Sequence, residues 1–144
     1  MICIGIDPGT YTGVAVWDSK EGKFLSLETL PIHRALESVR AWSRGQWFKD
    51  KFYNTEIQVV FEDARQRKWF GHGDTSAKAQ GAGSVKRDCS IWEDFCKDYG
   101  IPFRAIPPVK GATKVTPEYF KLISHYQGRT SEHSRDAAML VIGR

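Results

Sequence analysis

Apolar residues at the start of the chain alternate or cluster in short runs, each closed by turn-forming residues. Ile2, Ile4 and Ile6 predict a strand from Ile2 to Ile6, and Gly13 to Trp17 and Phe24 to Thr29 predict two more. Pro8, Gly9 and Gly13 are read as supplying the fixed or positive φ of the first turn, and Asp18-Ser19-Lys20-Glu21-Gly22-Lys23 as the second turn. The three runs predict an antiparallel meander. From Ile32 to about Lys51 the period lengthens. Leu36, Val39, Trp42, Trp47 and Phe48 recur at roughly helical spacing, interrupted near Gly45, which predicts an amphipathic helix. Ile57 to Phe61 reads as a buried strand ending in Glu62-Asp63.

Residues 65–74 show no periodicity and predict an exposed loop carrying Arg65, Arg67, Lys68, Trp69, Phe70 and His72. Beyond it Val85, Cys89, Trp92, Cys96 and Tyr99 form one helical stripe, with Ile91 and Phe95 beside it, and Gly100-Ile101-Pro102 closes the element. A strand from Phe103 to Ile106, a loop holding Pro107, Pro108 and Gly111, and helices from about Thr116 to Tyr126 and from Ser131 to Gly143 complete the pattern. This order predicts an α/β protein: a five-stranded mixed sheet, three antiparallel strands followed by parallel ones, flanked by helices.

The length of 144 residues suits one domain spanning 1–144. Charge is uneven. Residues 1–64 carry seven Lys/Arg against nine Asp/Glu, and residues 65–144 carry fourteen against eight, so the later elements hold the basic surface a polyanion would use. Three cysteines without a CxxC pair suggest a reducing compartment and argue against zinc. No apolar stretch reaches the length of a membrane span and the amino terminus lacks signal-peptide features, so a cytoplasmic location is expected.

Candidate chemistry lies where elements end. Asp7 closes the first strand, Glu62 the fourth, and His133 and Asp136 are three apart near the start of the last helix, on a shared face. The helix start favours the charge of Asp136. Taken singly, each has an ordinary description: a turn aspartate bonding its own backbone, a solvated strand-end acid, a first-turn residue. Taken together, three acids suit Mg²⁺ or Mn²⁺, hard cations that prefer oxygen, and a histidine is better tolerated by Mn²⁺. Two such ions per site can activate a water and stabilise the leaving oxygen of a phosphodiester.

Gly5-Ile6-Asp7-Pro8-Gly9-Thr10 followed by Thr12-Gly13-Val14-Ala15-Val16 resembles the opening of the RuvC-type Holliday junction resolvases. Val59-Val60-Phe61-Glu62, Ala79-Gln80-Gly81-Ala82-Gly83 and Glu132-His133-Ser134-Arg135-Asp136-Ala137-Ala138 resemble later motifs of that family, in the same order. The resemblance implies a ribonuclease H-like fold and a catalytic and metal-binding set of Asp7, Glu62, His133 and Asp136. Many members carry Asp where His133 stands, which bears on metal preference. Lys110 and Lys114 fall where the family carries lysines near the scissile phosphate. The family's stacking aromatic soon after the second acid has no direct counterpart, since Arg65 stands there and Trp69 and Phe70 come later. Exposed aromatics among Arg65, Lys68, Lys110 and Lys114 can still stack on splayed bases and bind phosphates.

The resemblance therefore implies a homodimeric, metal-dependent endonuclease that resolves four-way or other branched DNA junctions by attack of a metal-activated water. Two other readings stay beside it. One is a ribonuclease H-like nuclease acting on structured RNA, similar to the YqgF group, and another is a non-catalytic junction-binding module. A third, an actin-like ATPase, shares the Asp7-Pro8-Gly9-Thr10 pattern but needs two such domains around its nucleotide, and is set aside because a chain of 144 residues holds only one.

Overall fold

The computed structural model describes residues 1–67 and 80–144 in full and the backbone of 76–79. In chain order the elements are β1 (Ile2–Asp7), β2 (Tyr11–Asp18), β3 (Lys23–Pro31), α1 (Ile32–Arg44), β4 (Gln46–Phe48), β5 (Lys51–Tyr53), β6 (Ile57–Glu62), α2 (Ser76–Asp98), β7 (Phe103–Ile106), α3 (Pro117–Ser124) and α4 (Glu132–Met139). The main sheet has the order β3-β2-β1-β6-β7. β1, β2 and β3 pair antiparallel, while β6 lies parallel to β1 and β7 parallel to β6. The expected mixed five-stranded sheet is present, with β1 at its centre.

Strand side chains alternate between faces, so one face of the sheet takes Ile2, Ile4 and Ile6 of β1, Val14 and Val16 of β2, and Ile57, Val59 and Phe61 of β6. α1 and α2 cover it with Ala35, Val39, Trp42, Cys89, Trp92 and Cys96. The other face takes Cys3, Ala15, Trp17 and Val60, and packs against Phe120 of α3 and Ala137, Ala138 and Val141 at α4. Both faces are buried, as parallel strands in the middle of a sheet require. All three cysteines are free and buried, so they act as small apolar side chains, and burial pushes the Cys96 thiol up to about 12. No described helix is long and apolar enough to cross a membrane.

The structure corrects several expectations. The predicted helix from Ile32 to about Lys51 stops at Arg44, where Gly45 takes φ 81, and Trp47 and Phe48 belong to a separate β4–β5 hairpin. Local spacing could not separate the two because Trp42 packs against both Phe48 and Tyr53. Trp47 instead lies tilted against Phe52 outside the core and is 70% exposed. Tyr99, placed on the α2 stripe by spacing, lies just past the helix and is half exposed, although the predicted stop is correct. Ile101 N–H donates to Cys96 O and Gly100 N–H to Lys97 O, the paired bonds of a Schellman cap. The last two helices are shorter than expected, ending at Ser124 and Met139.

The glycines of the opening motif also act differently from the expected turn role. Neither Gly9 nor Gly13 has a positive φ, and Gly13 lies within β2, opposite Asp7. A Cβ on Gly13 would sit 2.0 Å from the His133 carbonyl oxygen, and one on Gly5 2.0 Å from that of Ala137. Both residues exist as glycine because the backbone of α4 lies directly on them.

Candidate active site

Asp7 ends the central strand and Glu62 ends its parallel neighbour, both on the face that α4 covers. The in-register pairing of Ile6 with Phe61 carries the next residues, Asp7 and Glu62, out at the same end of the sheet. α4 enters above them. Its amino terminus is fixed by a reciprocal cap in which the Ser134 N–H donates to the Ser131 hydroxyl and the Ser131 N–H to the Ser134 hydroxyl. The Ser131 hydroxyl also bonds Thr29 of β3, tying the helix start to the sheet. With the glycines beneath it, α4 has little freedom to lift, and His133 and Asp136 are delivered to the strand ends.

His133 Nδ1 and Asp7 Oδ2 are 2.8 Å apart, the protonated ring nitrogen donating to the carboxylate. On the next turn the Lys114 ammonium donates to Asp136 and stands 3.7 Å from Glu132. Asp7 and Asp136 are each 22% exposed at the side chain, so the acids are reachable from solvent yet partly desolvated. Burial raises the Asp7 carboxyl above its ordinary range; Asp136 adds to the rise, and the His133 hydrogen bond opposes it. Burial also raises Glu62, helped by the charges of Asp7 and Asp136 and opposed by Lys114. For Lys114 burial acts downward, but the bond to Asp136 and the charges of Asp136, Asp7 and Glu132 outweigh it and hold the ammonium protonated. The four carboxylates and one ammonium thus form one electrostatic unit.

Among the described residues, no three His, Cys, Asp or Glu side chains lie close enough together to grip a metal ion as they stand. The groups are arranged instead as two pairs, Asp7 with His133 and Asp136 with Lys114. The donor chemistry nonetheless fits a hard divalent cation: carboxylate oxygens, desolvated and repelling one another, with an ammonium as the counter-charge on one of them.

The other residues singled out by sequence lie differently. Arg65 is engaged within the protein: its guanidinium bonds both oxygens of Asp63 and reaches Glu93 of α2 at 2.5 Å. Asp63, buried at 3% exposure, also accepts from the Arg65 N–H and caps a single 3₁₀ turn at Ala64–Gln66. Burial acts upward on Asp63, yet the bonds from Arg65 and Gln66 outweigh it and hold its carboxyl below the ordinary range. Lys110 is exposed on a turn in which Ala112 N–H donates to Val109 O and Gly111 takes φ 71. Lys68, Trp69 and Phe70 lie outside the described residues. The sequence alone suggested a turn role for Gly13 and no role for Gly5 or Arg135. The Gly5/Gly13 spacing flanking Asp7 was the available signal, and Arg135 gave none beyond its place between His133 and Asp136.

No family model matches the chain, and no curated protein sequence matches it. Among solved structures, T. thermophilus RuvC in complex with Holliday junction substrate superimposes with a TM-score of 0.60 at 17% identity, over 99% of this chain and 92% of that one. The fold is therefore ribonuclease H-like, with the sheet order and helix placement described above.

Proposed function

We propose that this chain is a metal-dependent endonuclease acting on branched DNA, and specifically on four-way junctions, which it nicks by hydrolysing phosphodiester bonds. The observation that carries the reading is the gathering of Asp7, Glu62, Asp136, His133 and Lys114 at one end of a ribonuclease H-like sheet, from elements far apart in sequence. The likeness to a RuvC solved on a Holliday junction supports the choice of substrate.

In this reading Asp7, Glu62, His133 and Asp136 hold Mg²⁺ or Mn²⁺. The bound cation would supply Lewis-acid activation of water and charge neutralisation at the phosphate. The protein's own part is positional and electrostatic. β1 and β6 fix two carboxylates at adjacent strand ends, and α4 brings a third on a capped, anchored helix. His133 orients the Asp7 carboxylate through its ring nitrogen. Lys114 carries a positive charge to the edge of the acids, where a phosphodiester anion would lie. Symmetric nicking of a two-fold junction requires two such sites, hence a homodimer.

The test is incubation of the purified protein with a synthetic four-way junction and Mg²⁺ or Mn²⁺, alongside a flap, an RNA–DNA hybrid and a structured RNA. The expected result is paired symmetric nicks in the junction, lost in Asp7→Asn. Preferential cleavage of RNA would move the substrate to RNA; binding without turnover in any metal would reject the enzyme. Light scattering of the free protein gives the oligomeric state.

A further inference from the structure

We propose that Arg135 is a positioning residue that holds Lys114 at the acids by gripping the backbone of the loop that carries it. This extends the nuclease reading above, on which its consequence for catalysis rests, but the structural claim stands on its own geometry.

Lys114 lies on residues 107–116, a stretch without regular secondary structure, so no helix or strand bonding within it fixes where the ammonium points. Arg135 does. Arg135 as a residue is 9% exposed, its Nε donates to the carbonyl of Val115 at 3.0 Å, and its Nη1 donates to the Thr130 hydroxyl at 3.0 Å. Arginine is rarely buried unless its donors are occupied, and the planar fork fixes both bonds in one orientation. The next residue of α4, Asp136, receives the Lys114 ammonium. Consecutive residues of one helix therefore hold consecutive residues of one loop, Arg135 by the main chain of Val115 and Asp136 by the side chain of Lys114. Val115 packs against the apolar cluster beneath α4, and Thr116 caps α3 by accepting from Tyr119 N–H, so the grip is continuous with folded structure on both sides.

Arg135 contacts neither Asp7 nor Glu62 in any bond described, and its two partners lie on loops. Its role is thus separable from that of the acids. Releasing Val115 should let the segment around Lys114 relax and the ammonium spend more time away from Asp136.

The decisive measurement is the acylation rate of Lys114 by an amine-reactive ester at fixed pH, resolved by mass spectrometry of the intact-fold protein, with the other lysines as internal references. Arg135→Met is expected to raise the Lys114 rate roughly fivefold, the equivalent of one typical hydrogen bond, with Lys23 and Lys97 unchanged. Thr130→Val, which removes only the second anchor, should give a smaller rise and serves as the test if Arg135→Met does not fold. Val39→Ala, destabilised in the opposite layer, should leave Lys114 protected and so separates loosening of this loop from general destabilisation. Unchanged Lys114 reactivity in folded Arg135→Met, or in Thr130→Val where Arg135→Met does not fold, overturns the proposal, as does an equal rise in Val39→Ala. These outcomes do not depend on nuclease activity. Where junction cleavage is observed, Arg135→Met and Lys114→Met should lower kcat with little change in KM, and the double variant should be no worse than Lys114→Met alone. Multiplicative losses would show that Arg135 acts by another route. Absence of cleavage by the unaltered protein would remove the nuclease reading and leave the acylation result to decide the role of Arg135.

Discussion

The two faces of the sheet are built on opposite principles. Under α1 and α2 the strands present Ile2, Ile4, Ile6, Val14, Val16, Val59 and Phe61, large side chains that keep the helices at a distance and interdigitate with Trp42 and Trp92. Under α4 they present Cys3, Gly5, Gly13 and Ala15, and the helix answers with Ala137 and Ala138, so backbone lies against backbone. The first face accumulates buried apolar area. The second sacrifices area for proximity, because only a helix this close can set His133 beside Asp7 and Asp136 beside Lys114. The same contrast is compressed into the neighbours Glu62 and Asp63. Glu62 is raised by burial near other acids, whereas Asp63 is held low by Arg65 on the α2 side. One faces the chemistry and the other ties the end of β6 to a helix.

The contrast can be tested by matched substitutions. The largest effect on stability is expected from Trp92→Ala on the large-residue face, about 3–5 kcal/mol by denaturant unfolding. The protein that remains folded should still show the His133–Asp7 bond by histidine NMR. Gly13→Ala and Gly5→Ala should be destabilised less, by about 1–3 kcal/mol, because the added methyl forces α4 outward. They should nevertheless lose junction cleavage almost entirely at temperatures where they are folded. Retention of full cleavage by Gly13→Ala would show that the close approach is not what forms the site.

Asp63→Ala should weaken folding by about 2 kcal/mol through loss of the Arg65 bonds, with cleavage kept below its melting temperature. Glu62→Gln should do the reverse, abolishing cleavage with no loss of stability. The smallest effect is the change of stability with pH at Asp7. Its folded carboxyl is raised above the ordinary value of 3.8, so between that value and the folded one the native state holds the extra proton, and stability falls as pH rises through the window. Asp7→Asn has no proton to lose. Its melting temperature should therefore exceed that of the unaltered protein by a margin that grows above about pH 4 and then levels, reaching a few degrees. Saturating Mg²⁺ or Mn²⁺ should close that gap by raising only the unaltered protein, and addition of a chelator should reopen it.

Much of this organisation was legible in the chain. The alternation of Ile2, Ile4 and Ile6 fixes which residues of β1 share a face, and with it the side on which Asp7 emerges; Phe61 does the same for Glu62. The Ser131 cap and the Gly100 stop were equally readable, since each is set by bonds within a few residues. The β4–β5 hairpin was not, because Trp42, Trp47 and Phe48 fit a helical period and only packing separates Trp42 in the core, with Phe48 half-buried against it, from the exposed Trp47.

The sequence by itself determined the elements, their faces and the acids at their ends, because those follow from dihedral preferences and burial periods that act over a few residues. Tertiary structure alone decided that Gly5 and Gly13 admit a helix rather than form a turn, and that Arg65 serves Asp63. It also decided that Arg135 holds the loop on which Lys114 reaches Asp136. Each of those depends on steric contact and hydrogen bonding between elements brought together only by the fold, to which periodicity along one segment carries no information.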